Sequence, residues 1–161
     1  MDSGLLNPFE INEVEQFDYT FISRDGIKYR VFFSPLQEYY PQLLNTYSFS
    51  IEPEDRTPHP LDRRIAVTVV AILERFFETD ENAMIMICDT LDGKERKRRK
   101  LFDRWFKMFN NGRLIKMDAA GSVGEYELFL SIYFTKNNPY KEQLKDAFRD
   151  LLARDLYELV V

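Results

Sequence analysis

The feature that most constrains the fold is an uninterrupted apolar run, Met84 to Cys88, which ends at a short polar loop and is followed by a strongly basic segment. Such a run bounded by turn residues is typical of a strand buried on both faces. The basic segment carries apolar residues at spacings of three and four, which predicts a helix from about Gly93 to Phe109. The chain must therefore fold as a sheet with helices packed against it.

Five further strands are predicted from aromatic and β-branched runs that end at Gly, Asn or Pro. Gly26 closes a hairpin between the first two of these strands, and Gly121 to Gly124 connects the last two. The predicted strands are Phe17–Ser23, Ile27–Phe33, Thr46–Glu52, Leu114–Ala119 and Tyr126–Thr135.

Two further helices complete the pattern. Residues 61–77 are apolar around most of the helix surface, which predicts a helix buried against the sheet. The last helix is predicted to begin at Asn138 as N-cap and Pro139 as its first residue. The order β-β-β-α-β-α-β-β-α predicts an α+β domain over residues 17–161, with a mixed, mainly antiparallel six-stranded sheet and one right-handed crossover. Residues 1–16 are acidic and are expected to form a loosely held arm.

Composition excludes several classes of protein. The single cysteine cannot form an intramolecular disulfide, and the N-terminus lacks the pattern of a secretory signal. No apolar run approaches the roughly 18 residues needed to cross a bilayer, so we expect a cytoplasmic protein without membrane contact. One histidine, His59, and one cysteine cannot build the usual zinc sites or a supported nucleophile. We therefore expect no metal and no cofactor.

Charge is unevenly distributed along the chain. Residues 94–116 hold ten basic and two acidic residues, while the remainder holds 12 basic and 25 acidic ones. This asymmetry predicts a surface for an acidic protein partner, although an acidic body can also neutralise its own basic helix. Direct nucleic-acid binding is disfavoured, because the aromatic side chains that could stack on bases lie on the face assigned to the core. The predicted partner surface consists of Arg96, Lys97, Arg99 and Lys100.

A candidate anion site lies where the apolar strand meets the basic helix. Asp89 ends the strand, and Asp92 precedes Glu95 by three residues, which is the spacing of a helix N-cap. Lys94 and Arg98 lie one and two turns before the apolar face, so they are predicted to point back toward the loop. They could pair with Asp89 or join the helix N-terminus in holding an anion.

One resemblance rests on three short stretches of the chain. Asp62-Arg63-Arg64-Ile65, Cys88 to Gly93 and Arg99 to Phe106 resemble a family of small uncharacterised proteins common in Bacteroidetes. The similarity covers about residues 17 to 110. It implies a lineage and no activity.

A second resemblance concerns the order of the elements. Three antiparallel strands, a helix, a strand, a helix and a hairpin follow each other as in the second half of the GNAT N-acyltransferase fold, and Arg98 to Phe106 is similar to a segment of that superfamily. Phe102 stands where the superfamily has its tyrosine acid, and residues 52–64 contain no glycine for a pyrophosphate loop. The resemblance therefore implies an architecture that has lost acetyl-CoA chemistry.

The sequence favours an interaction module that binds without catalysis. The alternatives are a degenerate GNAT-like acyltransferase-fold protein and an RNA-acting toxin-like protein. The RNA-acting alternative is disfavoured because the acidic whole would be repelled by RNA.

Overall fold

The computed structural model describes residues 6–55, 62–89, 95–110, 112–123 and 126–151. This part of the chain contains three helices and seven strands. The helices are α1 (Arg63–Phe76), α2 (Glu95–Phe109) and α3 (Lys141–Leu151). The strands are β1 (Asn12–Glu15), β2 (Asp18–Ile22), β3 (Lys28–Pro35), β4 (Thr46–Pro53), β5 (Ala83–Asp89), β6 (Leu114–Val123) and β7 (Tyr126–Thr135).

All seven strands form one mixed sheet in the order β1-β2-β3-β4-β5-β7-β6. Strands β1 to β4 form an antiparallel meander, and β7 pairs antiparallel with both β5 and β6. The pairing of β4 with β5 is parallel and joins Thr46–Ser48 to Ala83–Ile85. Parallel neighbours need a crossover connection, and α1 supplies it. The α+β class and the mainly antiparallel mixed sheet are therefore confirmed.

The sheet has one strand more than the sequence indicated, because β1 lies in the segment expected to form a loose arm. Its four residues are all exposed, so the strand carries no apolar alternation by which it could be recognised. Phe9 is buried just before it, stacks on Phe21 and donates its backbone N–H to Thr68 of α1. Phe9 and the pairing of β1 with β2 thus attach this segment to the fold, while most of its residues are exposed.

Several element boundaries differ from the prediction. Gly121 to Val123 extend β6 rather than forming the hairpin connection. Helix α1 begins at Arg63, where the Asp62 carboxylate accepts the Ile65 N–H at 2.8 Å. Helix α3 begins at Lys141 rather than at Pro139. The predicted N-cap, Asn138, is buried and lies outside the helix.

Asn138 instead ties the turn after β7 to the segment before β5. Its side-chain oxygen accepts the Tyr140 N–H at 2.8 Å, and its amide donates to the carbonyl oxygens of Glu81 and Asn82, both at 3.3 Å. A buried amide needs such partners, because unsatisfied polar groups are costly in the interior.

The first face of the sheet is covered by α1 and α2, and its core is rich in aromatic residues. Phe76 of α1 stacks on Phe33 with ring centroids 4.2 Å apart. Trp105 of α2 is 1% exposed and packs edge-on against Phe49 of β4, with ring centroids 6.3 Å apart. The rest of the apolar face of α2 is half-buried against this core, namely Leu101, Phe102, Phe106 and Phe109.

The second face of the sheet is covered over only part of its width. Leu144 and Phe148 of α3 pack with Ile85 of β5 and with alternate residues of β6 and β7. Over β2 to β4 the second face carries polar and charged residues, with Arg30 near its centre. The Arg30 guanidinium donates to both carboxylate oxygens of Asp18, at 3.0 and 2.9 Å.

Trp105→Ala is expected to lower the free energy of unfolding by about 3 to 5 kcal/mol, because it opens a cavity where α2 meets β4. Denaturant unfolding measures the change. The control is Arg104→Ala at the exposed neighbouring position, which should move stability by less than about 0.5 kcal/mol. Equal stabilities of the two variants would contradict the assignment of Trp105 to the core.

Arg30→Ala is expected to raise the pKa of Asp18. In the wild type that pKa lies below its usual value because the carboxylate accepts hydrogen bonds from Arg30. A carboxyl group whose pKa is lowered by folding stabilises the fold above its unfolded pKa and loses that contribution as pH falls through its folded pKa. NMR titration of the Asp18 carboxyl carbon measures the shift, with the exposed Arg24→Ala as control. An unchanged Asp18 pKa in Arg30→Ala would show that the pair is not maintained in solution.

Candidate functional site

The surface of α2 that faces away from the core is basic. The apolar side chains of α2 that face the core lie at spacings of three and four and are buried or half-buried, so the intervening positions face solvent. Five of these positions hold cations, all of them exposed: Lys97, Arg99, Lys100, Arg104 and Lys107. Within the part of the chain that the structure describes, none of the five forms an ion pair.

Arg99 is the one of these cations that is held in place by the sheet. Its guanidinium carbon lies 3.9 Å from the centre of the Phe129 ring on β7. A guanidinium over an aromatic face is attracted by the ring quadrupole and keeps its N–H donors available at the ring edge. Arg99 is therefore a positioned cation, with donors available to an anion.

Beside Arg99, a groove of about 280 Å³ opens between α2 and the β6–β7 hairpin. It exists because the hairpin extends past the region of the first face that α2 covers. Half-buried rings of Phe102 and Phe129 and buried side chains of Met86 and Tyr133 provide its apolar lining. Its remaining lining residues are Arg99, Asp103, Lys116, Asp118, Ala119, Ala120, Leu130 and Ser131.

The polar side of the groove is an ion-pair network of one cation and two carboxylates. The Lys116 ammonium lies 2.6 Å from Asp103 on α2 and 3.4 Å from Asp118 on its own strand. Ser131 donates its hydroxyl to Asp118. The two carboxylates share Lys116, and Arg99, which has no ion pair among the described residues, brings the net charge of the groove's lining residues to zero.

The groove and its border can supply binding contacts. Among the described residues, no three His, Cys, Asp or Glu side chains lie close enough together to hold a metal ion. The site offers a positioned guanidinium, a half-exposed aromatic surface and a polar border formed by Lys116, Asp103 and Asp118. A guanidinium beside an apolar surface can bind an anionic group attached to an apolar one.

The predicted anion site falls largely outside the described residues. Asp92 and Lys94 lie outside them altogether. Asp89 ends β5 and Arg98 lies in α2, but their side chains are outside the described part, as is that of Arg96. The anion site therefore stays a prediction. His59 also lies outside the described residues.

Sequence reasoning placed Lys97, Arg99 and Lys100 on an exposed helix surface but missed the groove. Phe129, Ser131 and Tyr133 alternate along β7, and Lys116, Asp118 and Ala120 alternate along β6, so each set shares the first face. The alternation of these residues in the sequence indicates a partly polar sheet face. That this face lies beside Arg99 depends on the position of β7 between β5 and β6, which no local sequence pattern indicates.

In the described part of the chain, no helix is long and apolar enough to cross a membrane. No curated protein matches the sequence. Residues 61–150, more than half of the chain, match the model of a family of unknown function, DUF6169. The resemblance to an uncharacterised family is confirmed, and the matched region lies further toward the C-terminus than expected. The chain belongs to this family of unknown function, DUF6169.

Proposed function

We propose that this protein is a binding module that recognises an acidic protein partner through the basic surface of α2, formed by Arg96, Lys97, Arg99 and Lys100. The observation that carries the proposal is the exposure of Lys97, Arg99 and Lys100 without ion pairs among the described residues. Residues outside 94–116 carry a net charge of −13, so acidic side chains are plentiful.

The energetics favour a partner over internal neutralisation. Cations that are already paired gain little from an acidic partner, because the new contacts only replace old ones. Unpaired cations on a rigid helix raise the rate of association and select for a negatively charged surface. Arg99 adds to this effect, because its stacking on Phe129 has already restricted the side chain before a partner binds.

An acidic protein is favoured over nucleic acid because the rings of α2 that could stack on bases face the sheet. Trp105, for example, is 1% exposed.

A GNAT-like protein is the second candidate, and one observation favours it. The parallel strands β4 and β5 pair only over Thr46–Ser48 and Ala83–Ile85, so their later residues are not hydrogen-bonded to each other. An acyltransferase of that architecture needs a V-shaped opening between two parallel strands. On the α2 side, however, Phe49 is covered by the rings of Phe102 and Trp105, whose centroids lie 6.2 and 6.3 Å from the centroid of the Phe49 ring. This packing argues against an acyl-CoA site.

The double variant Lys97→Glu/Lys100→Glu is expected to weaken binding of a labelled polyglutamate peptide by about tenfold in low-salt buffer. Reversal replaces attraction by repulsion at two exposed positions and should leave the melting temperature nearly unchanged. Fluorescence anisotropy measures the affinity, and added salt should weaken wild-type binding. The matched control, Arg24→Glu/Lys28→Glu, makes the same charge change at exposed positions of the β2–β3 hairpin. It lowers the net charge of the protein without changing α2, so its loss of affinity for the peptide should be much smaller.

Three outcomes would contradict the proposal: no binding of polyglutamate by the wild type, equal losses in both double variants, or tighter binding of an oligouridine RNA of the same charge. The last outcome would assign the surface to nucleic acid.

Acetyl-CoA is expected not to bind with useful affinity. The space beside Phe49 is filled by aromatic rings, residues 52–64 lack the glycines of a pyrophosphate loop, and Phe102 has no proton to give. Calorimetric titration provides the measurement. A micromolar dissociation constant, which corresponds to about −8 kcal/mol, would instead favour the GNAT-like candidate.

A further inference from the structure

We propose that the groove between α2 and the β6–β7 hairpin receives one apolar side chain of the acidic partner, while Arg99 binds a carboxylate beside that side chain. The inference rests on the proposed function and specifies what the partner must present: an acidic segment with an apolar anchor.

The size of the groove favours a single side chain. Small-molecule and cofactor sites usually enclose about 300 to 1,000 Å³. The groove, at about 280 Å³, lies below that range and is open along one side. Anchor side chains that dominate protein–protein interfaces occupy pockets of this kind near the centre of a contact.

The lining of the groove favours an apolar occupant. Phe102 and Phe129 are half-buried, so each exposes part of a ring that a partner side chain would remove from water. Ala120 on β6 and Ser131 on β7 are small, and their size keeps the groove open above these rings. A larger residue at the exposed Ala120 position would fill that space.

The charges around the groove determine what accompanies the apolar side chain. Lys116 is already paired with Asp103 and Asp118, and therefore does not need a further anion. Arg99 has its guanidinium over Phe129, at the border of the groove, without a carboxylate partner among the described residues. A carboxylate adjacent to the anchor would satisfy Arg99, and further acidic residues would face Lys100 on the same helix.

Two labelled peptides test the inference: polyglutamate with one central phenylalanine and the same peptide with alanine at that position. The phenylalanine peptide is expected to bind the wild type about tenfold more tightly than the alanine peptide. In Ala120→Trp, which fills the groove, the ratio of the two dissociation constants should fall to about one. The control Asn137→Trp adds the same side chain at an exposed turn after β7 and should keep the wild-type ratio.

A measurement on the wild type makes the test independent of how Ala120→Trp folds. In the complex with the phenylalanine peptide, NMR should show nuclear Overhauser contacts between the peptide ring and the rings of Phe102 and Phe129. Their absence, or equal binding of both peptides by the wild type, would overturn the inference while leaving the acidic-partner proposal intact. Failure of both peptides to bind would overturn the proposed function itself.

Discussion

The parallel pairing of β4 with β5 is the constraint on which the rest of the architecture depends. Antiparallel neighbours can be joined by a turn, but a parallel pair requires a crossover, which here contains α1 and places it on the first face of the sheet. Helix α2 connects β5 to the far edge strand β6 and lies on the same face, where it packs against α1. Helix α3 follows β7 and packs on the opposite face. The β6–β7 hairpin therefore packs against α3 on its second face and is only partly covered by α2 on its first, and the groove lies where that cover ends.

Aromatic packing holds the two helices of the first face in position. Phe76 of α1 lies against Phe33, Phe17 and Tyr47, so it joins the helix to β3, β4 and the turn after β1. Phe17 adopts a φ of 63°, a left-handed conformation that is unfavourable for a bulky residue. Its ring contacts with the cluster compensate for this cost. On α2, Trp105 performs the corresponding role, and its burial directs Lys97, Lys100 and Arg104 toward solvent.

Lys116 and Arg99 differ in their partners, and this difference supports the proposed binding of an anion beside the groove. Both cations lie close to aromatic rings at the groove, but Lys116 has two carboxylates within 3.4 Å and Arg99 has an aromatic ring alone. The paired lysine stabilises the junction of α2 with β6, whereas the arginine presents donors that nothing in the described chain accepts. An exposed basic helix beside a small groove with half-exposed rings is the combination on which the proposed recognition of an acidic segment rests.

The sequence by itself determined the elements and the character of their faces. The spacing of Leu101, Trp105 and Phe109 was enough to predict α2 and the exposure of Lys97, Arg99 and Lys100, because a helix places residues by local geometry alone. Strand β1 was not predictable, since its exposed residues have no apolar period and the strand forms only because β2 offers an edge. The groove was decided by tertiary structure: Arg99 and Phe129 are 30 positions apart in the chain, and they meet because β7 inserts between β5 and β6. Side-chain periodicity is a local property of the backbone, whereas strand order depends on which long-range contacts bury the most apolar surface.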